Sequence, residues 1–250
     1  MSRTIGVCVL LAGIAVAGSA APAYAQRTAP AFGFGDEPKQ TISVTFGGLA
    51  LTKIDDRDPD DVIVANLDFL EFDPDELTKG SWLVGAEWLI PLGSYVEAGA
   101  GIAVSGRRES ASVYRDFVEV GTLDEIEQDL SLRVTPLSFT IRAVPFGQGS
   151  PVQPYVGAGL GLFGYKYTEA GEFLDFSFDP PEIFVDTFEA TGWQPGLIVL
   201  GGLRWAADSA SVGAEFRYHQ VKADLDTEFF VAPEIDLGGW VFQITLGGRF

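Results

Sequence analysis

The 250-residue chain has one Cys, one Met and one His, and only 16 Lys and Arg against 35 Asp and Glu. Each scarcity excludes a kind of chemistry. Cys8 has no second Cys to pair with and lies in the N-terminal apolar segment, so the rest of the chain offers no disulfide, thiol nucleophile or Cys-based zinc site. A formal charge of −19 leaves no general basic surface for nucleic acid, whose phosphates call for clustered Lys and Arg. Long apolar runs are also missing beyond the first segment. The longest uncharged stretch, residues 143–165, is interrupted by Pro145, Gly147, Gly149, Pro151 and Pro154, which makes it a turn between two extended segments. What is abundant is glycine (30) and phenylalanine (19), in a chain that is 47% hydrophobic. That composition speaks against a helical bundle, and the length fits either ordinary domains or one large all-β barrel. A chain both acidic and apolar must hold its charges apart from its apolar surface.

The first 25 residues have the pattern of a secretory signal peptide: Arg3, an apolar stretch from Ile5 to Ala17, and Ala23-Tyr24-Ala25 as the cleavage site. The stretch is shorter than the roughly 20 residues that span a bilayer, which argues against a retained anchor helix. Cleavage after Ala25 removes Cys8 and Arg3 and leaves a mature charge of −20. Residues 26–40 then form a short N-terminal segment, and residues 41–250 the main domain.

Eight segments of that domain alternate apolar with small or polar residues, the period-2 signature of strands with one oily face. They begin at Thr41, Ser81, Tyr95, Leu130, Gln153, Thr191, Ser211 and Trp240. In the first, Ile42, Val44 and Phe46 oppose Ser43, Thr45 and Gly47; in the last, Trp240, Phe242, Ile244 and Leu246 oppose Gln243 and Thr245. The fourth changes parity at Pro136, from Leu130, Leu132 and Val134 to Leu137, Phe139 and Ile141, which predicts a β-bulge or break there. Connections after the second, fourth and sixth segments are short. The others, residues 53–79, 107–129, 169–190 and 224–236, are long. Short and long connections alternate in an antiparallel up-and-down transmembrane barrel of eight strands, with short periplasmic turns and long external loops, whereas a Greek-key sandwich has no reason to alternate them. The four long connections contain 29 of the 35 acids and 6 of the 16 basic residues, a net charge of −23 at one end. A soluble sandwich would spread its charge over every exposed surface.

The last strand, residues 240–250, with its alternating aromatics and terminal Phe250, resembles the C-terminal signal by which bacterial outer-membrane proteins are recognised for assembly. Together with the signal-peptide pattern, the eight strands, the Val134-Thr135-Pro136-Leu137 step and residues 154–159 (Pro-Tyr-Val-Gly-Ala-Gly), the chain resembles the OmpA/OmpW-like superfamily of small outer-membrane β-barrels, often called porin-family proteins. The resemblance covers most of residues 41–250. It implies a location in the bacterial outer membrane, partners among outer-membrane lipid and lipopolysaccharide, and use of the assembly machinery through the C-terminal strand; no cofactor is expected, and the oligomeric state stays open, with a monomer favoured. No peptidoglycan-binding domain is expected after the last strand.

By strand parity the inward charges are Glu87, Glu97, Arg133, Arg142, Arg204, Glu215, Arg217 and Arg249, with His219 near the outer end. An eight-stranded barrel is just wide enough for side chains to fill, so the first expectation is a plug of paired charges. The inward glycines Gly99, Gly101, Gly157, Gly159 and Gly161 suggest the alternative, a narrow pore with unfilled volume, although glycine also serves strand curvature. The expected role is structural or surface-interacting, with limited passage of small solutes as a variant. Some small outer-membrane barrels act on lipid A with a His, a Ser and an acid. Here His219 has Glu215 four residues before it and no adjacent Ser, so an enzyme is the alternative and a structural histidine the expectation. The run Asp55, Asp56, Asp58, Asp60, Asp61 is a weak candidate for Ca²⁺, without EF-hand spacing, and a solvated acidic loop is the default. Lys166 and Lys222, on the outward parity near the outer rim, are placed to meet lipopolysaccharide phosphates.

Overall fold

Alternation of apolar and small residues over roughly ten positions gives strands that can close on one another, and the structure shows that closure. The computed structural model describes residues 38–119, 123–178, 180–225, 229 and 233–250; the signal-peptide pattern and most of the 26–40 segment lie outside the described residues. In chain order the elements are β1 (Thr41–Leu51), α1 (Val62–Phe69), β2 (Leu70–Glu71), α2 (Pro74–Thr78), β3 (Ser81–Pro91), β4 (Val96–Ser105), β5 (Arg108–Val118), β6 (Glu125–Ala143), β7 (Val152–Asp175), β8 (Glu182–Ala206), β9 (Ala210–Gln220), β10 (Lys222–Asp224), β11 (Glu234–Asp236) and β12 (Gly239–Arg249). Eight of these, β1, β3, β4, β6, β7, β8, β9 and β12, pair antiparallel with their neighbours in that order. β12 returns to β1, Thr41 opposite Arg249 and Leu51 opposite Gly239, and the ring is complete. Closure leaves the ring itself, among the described residues, without an unpaired edge strand, which an apolar surrounding would penalise heavily.

The two ends differ. The three short turns lie at one end, where Gln40 and Phe250 exchange backbone hydrogen bonds of 3.0 Å. At the other end the long connections are more ordered than loops. β7 and β8 continue as one hairpin from Val152 opposite Trp205 to Asp175 opposite Glu182. β5 adds to the upper part of β6 and carries β2 in turn. Helices α1 and α2 start where the sequence supplies caps: Asp61 accepts from the Ile63 amide (2.9 Å), and Asp73, before Pro74, accepts from the Asp75 amide (3.0 Å).

The bulge expected at Pro136 is not there. β6 pairs with β7 without a shift from Gln128 opposite Gly171 to Ala143 opposite Val156. Pro136 is tolerated because its missing N–H faces the side where pairing with β4 has already ended, at Ile102 opposite Leu137. The Val134 amide, on that same side, bonds instead to Ser105 Oγ (3.2 Å). The parity change has another cause: the barrel interior turns apolar, so Leu130, Leu132 and Val134 point inward while Phe139 and Ile141 point out. The register shift lies in β5, between Val113 and Val118, where Asp116 adopts φ 66°.

Candidate functional site

Outside, the ring presents an apolar belt. Ile42, Val44, Phe46, Ile102, Phe139, Ile141, Leu160, Val199, Phe216 and Ile244 are exposed. All five tryptophans are 45–60% exposed at the belt's two edges: Trp82, Trp193 and Trp240 toward the long connections, Trp88 and Trp205 toward the short turns. From Trp240 to Phe250 a strand rises about 34 Å, which at a tilt near 40° gives a height of roughly 26 Å. That is the thickness of hydrocarbon such barrels span, and rings of tryptophan are what its two polar boundaries select.

Inside, the lower half is a network of three carboxylates and three guanidiniums. Arg142, 1% exposed, places Nη2 2.5 Å from Glu87 and 2.9 Å from Glu215. Arg217 reaches Glu87 at 2.8 Å and also donates from Nε to Glu215, which receives a further hydrogen bond from Gln243 (2.9 Å). Arg204 grips both oxygens of Glu97 (3.2 and 2.9 Å) and bonds to Gln153 (2.8 Å). Tyr155 stacks its ring 5.0 Å from the Arg142 guanidinium. Charges cancel three against three, as burial requires.

Two of the residues read as inward stand outside this network. Arg133 lies outside, because the parity change is a change of lining and the strand itself does not slip. Arg249 sits at the turn end, donating to the Ala207 carbonyl (2.6 Å). The inward glycines do not leave an open channel either. A Cβ at Gly161 would strike the Phe163 ring at 2.5 Å, and one at Gly157 the Arg142 side chain at 3.1 Å. The cavity beside Glu87, Ser138, Arg217, His219 and Gln243 is only about 20 Å³, the size of a water site.

The upper half is closed by an apolar cap that periodicity did not reveal. Ile63 and Val62 of α1, Leu77 of α2, Ile235 of β11, and Leu237 are buried in one cluster with Leu49, Leu130, Leu132 and Phe163. The signals that could have found it were Asp61 and Asp73-Pro74 as helix starts. Asp61 is its clasp: Arg57 pairs with it at 2.7 Å, and its carboxylate also accepts from the Asp236 amide (2.7 Å), joining α1 to β11. Arg108 lies buried nearby, bonded to the Leu49 carbonyl at 2.6 Å; burial, then the neighbouring Arg57, pushes its guanidinium down to about 10. The acidic run therefore does not converge. Asp61 is structural, Asp58 pairs with Lys222, Asp55, Asp56 and Asp60 are exposed, and among the described residues no acidic or His group is arranged to hold a metal ion.

Glu169 ties the cap to β7. It accepts from Asn66 Nδ2 and from the Tyr167 hydroxyl, both at 2.8 Å. Burial pushes its carboxyl above the usual range, and the two hydrogen bonds only partly oppose this. A raised value means that the protonated form favours folding. The contribution is complete below the ordinary carboxylate value and is lost as pH rises through the raised one. Glu169→Gln should therefore gain thermal stability relative to the parent as pH is raised from about 4 to about 8. Melting both proteins across that range checks it, and a difference independent of pH would refute it.

His219 is 3% exposed and sits inside the ring, edge-on to Phe163 at 5.0 Å. Glu215 is held by Arg217 and Gln243 and is not bonded to the imidazole.

A closed antiparallel ring with an apolar, tryptophan-edged outside and a charge-balanced inside is an eight-stranded transmembrane β-barrel. No protein-family model and no curated protein matches the chain. Among solved structures it is similar to the outer membrane protein OprG of Pseudomonas aeruginosa, at 12% identity over 87% of this chain and 98% of that one (TM-score 0.49). It is also similar to Ail, the attachment invasion locus protein of Yersinia pestis, solved with the heparin analogue sucrose octasulfate (14% identity, 86% and 100% covered, TM-score 0.42). The N-terminal β-barrel domain of Pseudomonas aeruginosa OprF matches at 13% identity over 84% and 97% (TM-score 0.33).

Proposed function

We propose that the chain is an exported, monomeric barrel of the bacterial outer membrane that conducts no solute and acts through its acidic outer end, in membrane integrity and surface contact. The observation that carries this reading is the double closure of the lumen, by balanced ion pairs below and the apolar cap of α1, α2 and β11 above. The signal-peptide pattern and the barrel class support the location, and the 29 acids in the long connections support an outward-facing role. The final strand, paired on both sides in the ring, is the element offered to the assembly machinery. The lipid A-modifying reading has little to recommend it, because His219 faces the interior, away from any acyl chain on the belt. Planar-bilayer recordings of the purified barrel should show no discrete conductance. Reproducible channels, persisting after repurification, would overturn the plugged reading.

A further inference from the structure

Arg133 and Lys166 stand directly opposite one another on β6 and β7, and both point away from the barrel. Adjacent strands lie about 5 Å apart, so the two side chains share one patch of wall. A third cation joins them. Arg107 donates from Nη2 to Ser131 Oγ (3.1 Å), and Ser131 occupies the same face two residues before Arg133.

The height of this patch is fixed by its neighbours. One step toward the belt, Thr135 and Gly164 are paired, and the Trp193 indole lies over Gly164, so close that an added Cβ would meet its ring carbons at 3.0 Å. Below that the outward residues Leu137, Phe139 and Ile141 carry no charge. Above, Asp129 and Glu127 begin the acidic connection on the same face. The cations thus occupy the row where the indole boundary ends, the depth of lipid headgroups. Lys166 and Arg107 have partners in Glu189 (2.5 Å) and Glu109 (3.0 Å), but these pairs are about half exposed and contribute little. Arg133 forms no hydrogen bond or ion pair with the described residues.

We propose that Arg133, with Lys166 and Arg107, forms a site on the outer wall for the phosphate of a lipid headgroup in the leaflet on the long-connection side. A guanidinium fork matches two phosphate oxygens, and the flanking cations supply the remaining charge. The acidic rim above would repel the same phosphate, so the site orients the lipid downward against Trp193. The inference rests on the reading of the chain as a membrane barrel, and the experiment separates the two.

The full barrel is inserted into phosphatidylcholine vesicles and titrated with a diphosphorylated glucosamine-disaccharide lipid, its dephosphorylated counterpart, phosphatidylglycerol or inorganic phosphate. Binding of the diphosphorylated lipid should weaken about tenfold in Arg133→Glu and further in Arg133→Glu/Lys166→Glu, and should weaken with salt. Preference for phosphatidylglycerol would assign the phosphate to a glycerolipid, and preference for the glycolipid to the sugar-based one; either supports the site. Equal binding of phosphorylated and dephosphorylated lipid, or unchanged binding in variants that insert normally, overturns the site alone. Saturation by inorganic phosphate without lipid overturns its lipid character. Failure of the parent protein to insert would instead overturn the membrane reading.

Discussion

Arg142→Met should destabilise the barrel by about 3–5 kcal/mol, the usual consequence of removing one partner from a buried ion network. Arg142 is the centre of that network, within 2.5 Å of Glu87, 2.9 Å of Glu215 and 3.9 Å of Glu97. Without it, three carboxylates face only Arg204 and Arg217, and one negative charge stays buried without compensation. Methionine fills much of the same volume, so the loss reports charge rather than a cavity. A second change distinguishes the two further. Arg142→Met/Glu87→Gln returns the interior to two carboxylates and two guanidiniums and should recover most of the loss, since a balanced or apolar replacement for a buried pair is often neutral. Urea unfolding in detergent micelles, followed by the fluorescence of the five tryptophans, reads the difference. Arg133→Met, on the exposed outer wall, should stay within about 0.5 kcal/mol of the parent. A single variant as stable as the parent would mean that the interior is wet enough to solvate its carboxylates, and a plug could not be its role.

The contrast between Arg142 and Arg133 also shows what was legible in the sequence. Strand positions and the order of short and long connections were legible because period 2 is imposed by the pleat and persists while one face meets lipid. Parity then located Glu87, Glu97, Arg142, Arg204, Glu215 and Arg217 within the ring. It failed at Arg133 because the rule "apolar outward" holds only where the lumen is polar. Above Pro136 the lumen is apolar as well, since α1, α2 and β11 fold into it, and Leu130, Leu132 and Val134 turn toward them. That cap is assembled from residues as far as 175 apart in the chain, Asp61 bonding to Asp236, and no local period records such a contact. The hairpin of β7 and β8 escaped for a related reason: residues 169–190 carry seven acids and read as loop, yet a ladder that rises beyond the belt tolerates carboxylates on its water-facing side.

Gly159→Ala should prevent formation of the native barrel, or destabilise it by more than about 3 kcal/mol, the upper range for forced overpacking. A Cβ at this position would lie 2.0 Å from the Phe139 carbonyl oxygen and 2.8 Å from Thr140 Cα. Both are backbone atoms of β6, and Thr140 is the residue that Gly159 faces in the ladder. Relief therefore requires the two strands to separate within an otherwise continuous run of pairs, where hydrogen bonds on either side hold them together. Gly161→Ala should cost less, because the obstacle is the tip of the Phe163 ring at 2.5 Å, a side chain that can turn. Gly248→Ala should be nearly silent, because beyond its own chain neighbours nothing lies within 4 Å of the added carbon. Unheated samples on a denaturing gel rank the three by the fraction that migrates as folded barrel. An ordering of Gly159, Gly161 and Gly248 from worst to mildest assigns the glycine row to close approach of strand and neighbour. Equal losses at all three would assign it to chain flexibility, and the inward glycines would again be consistent with empty space along the lumen.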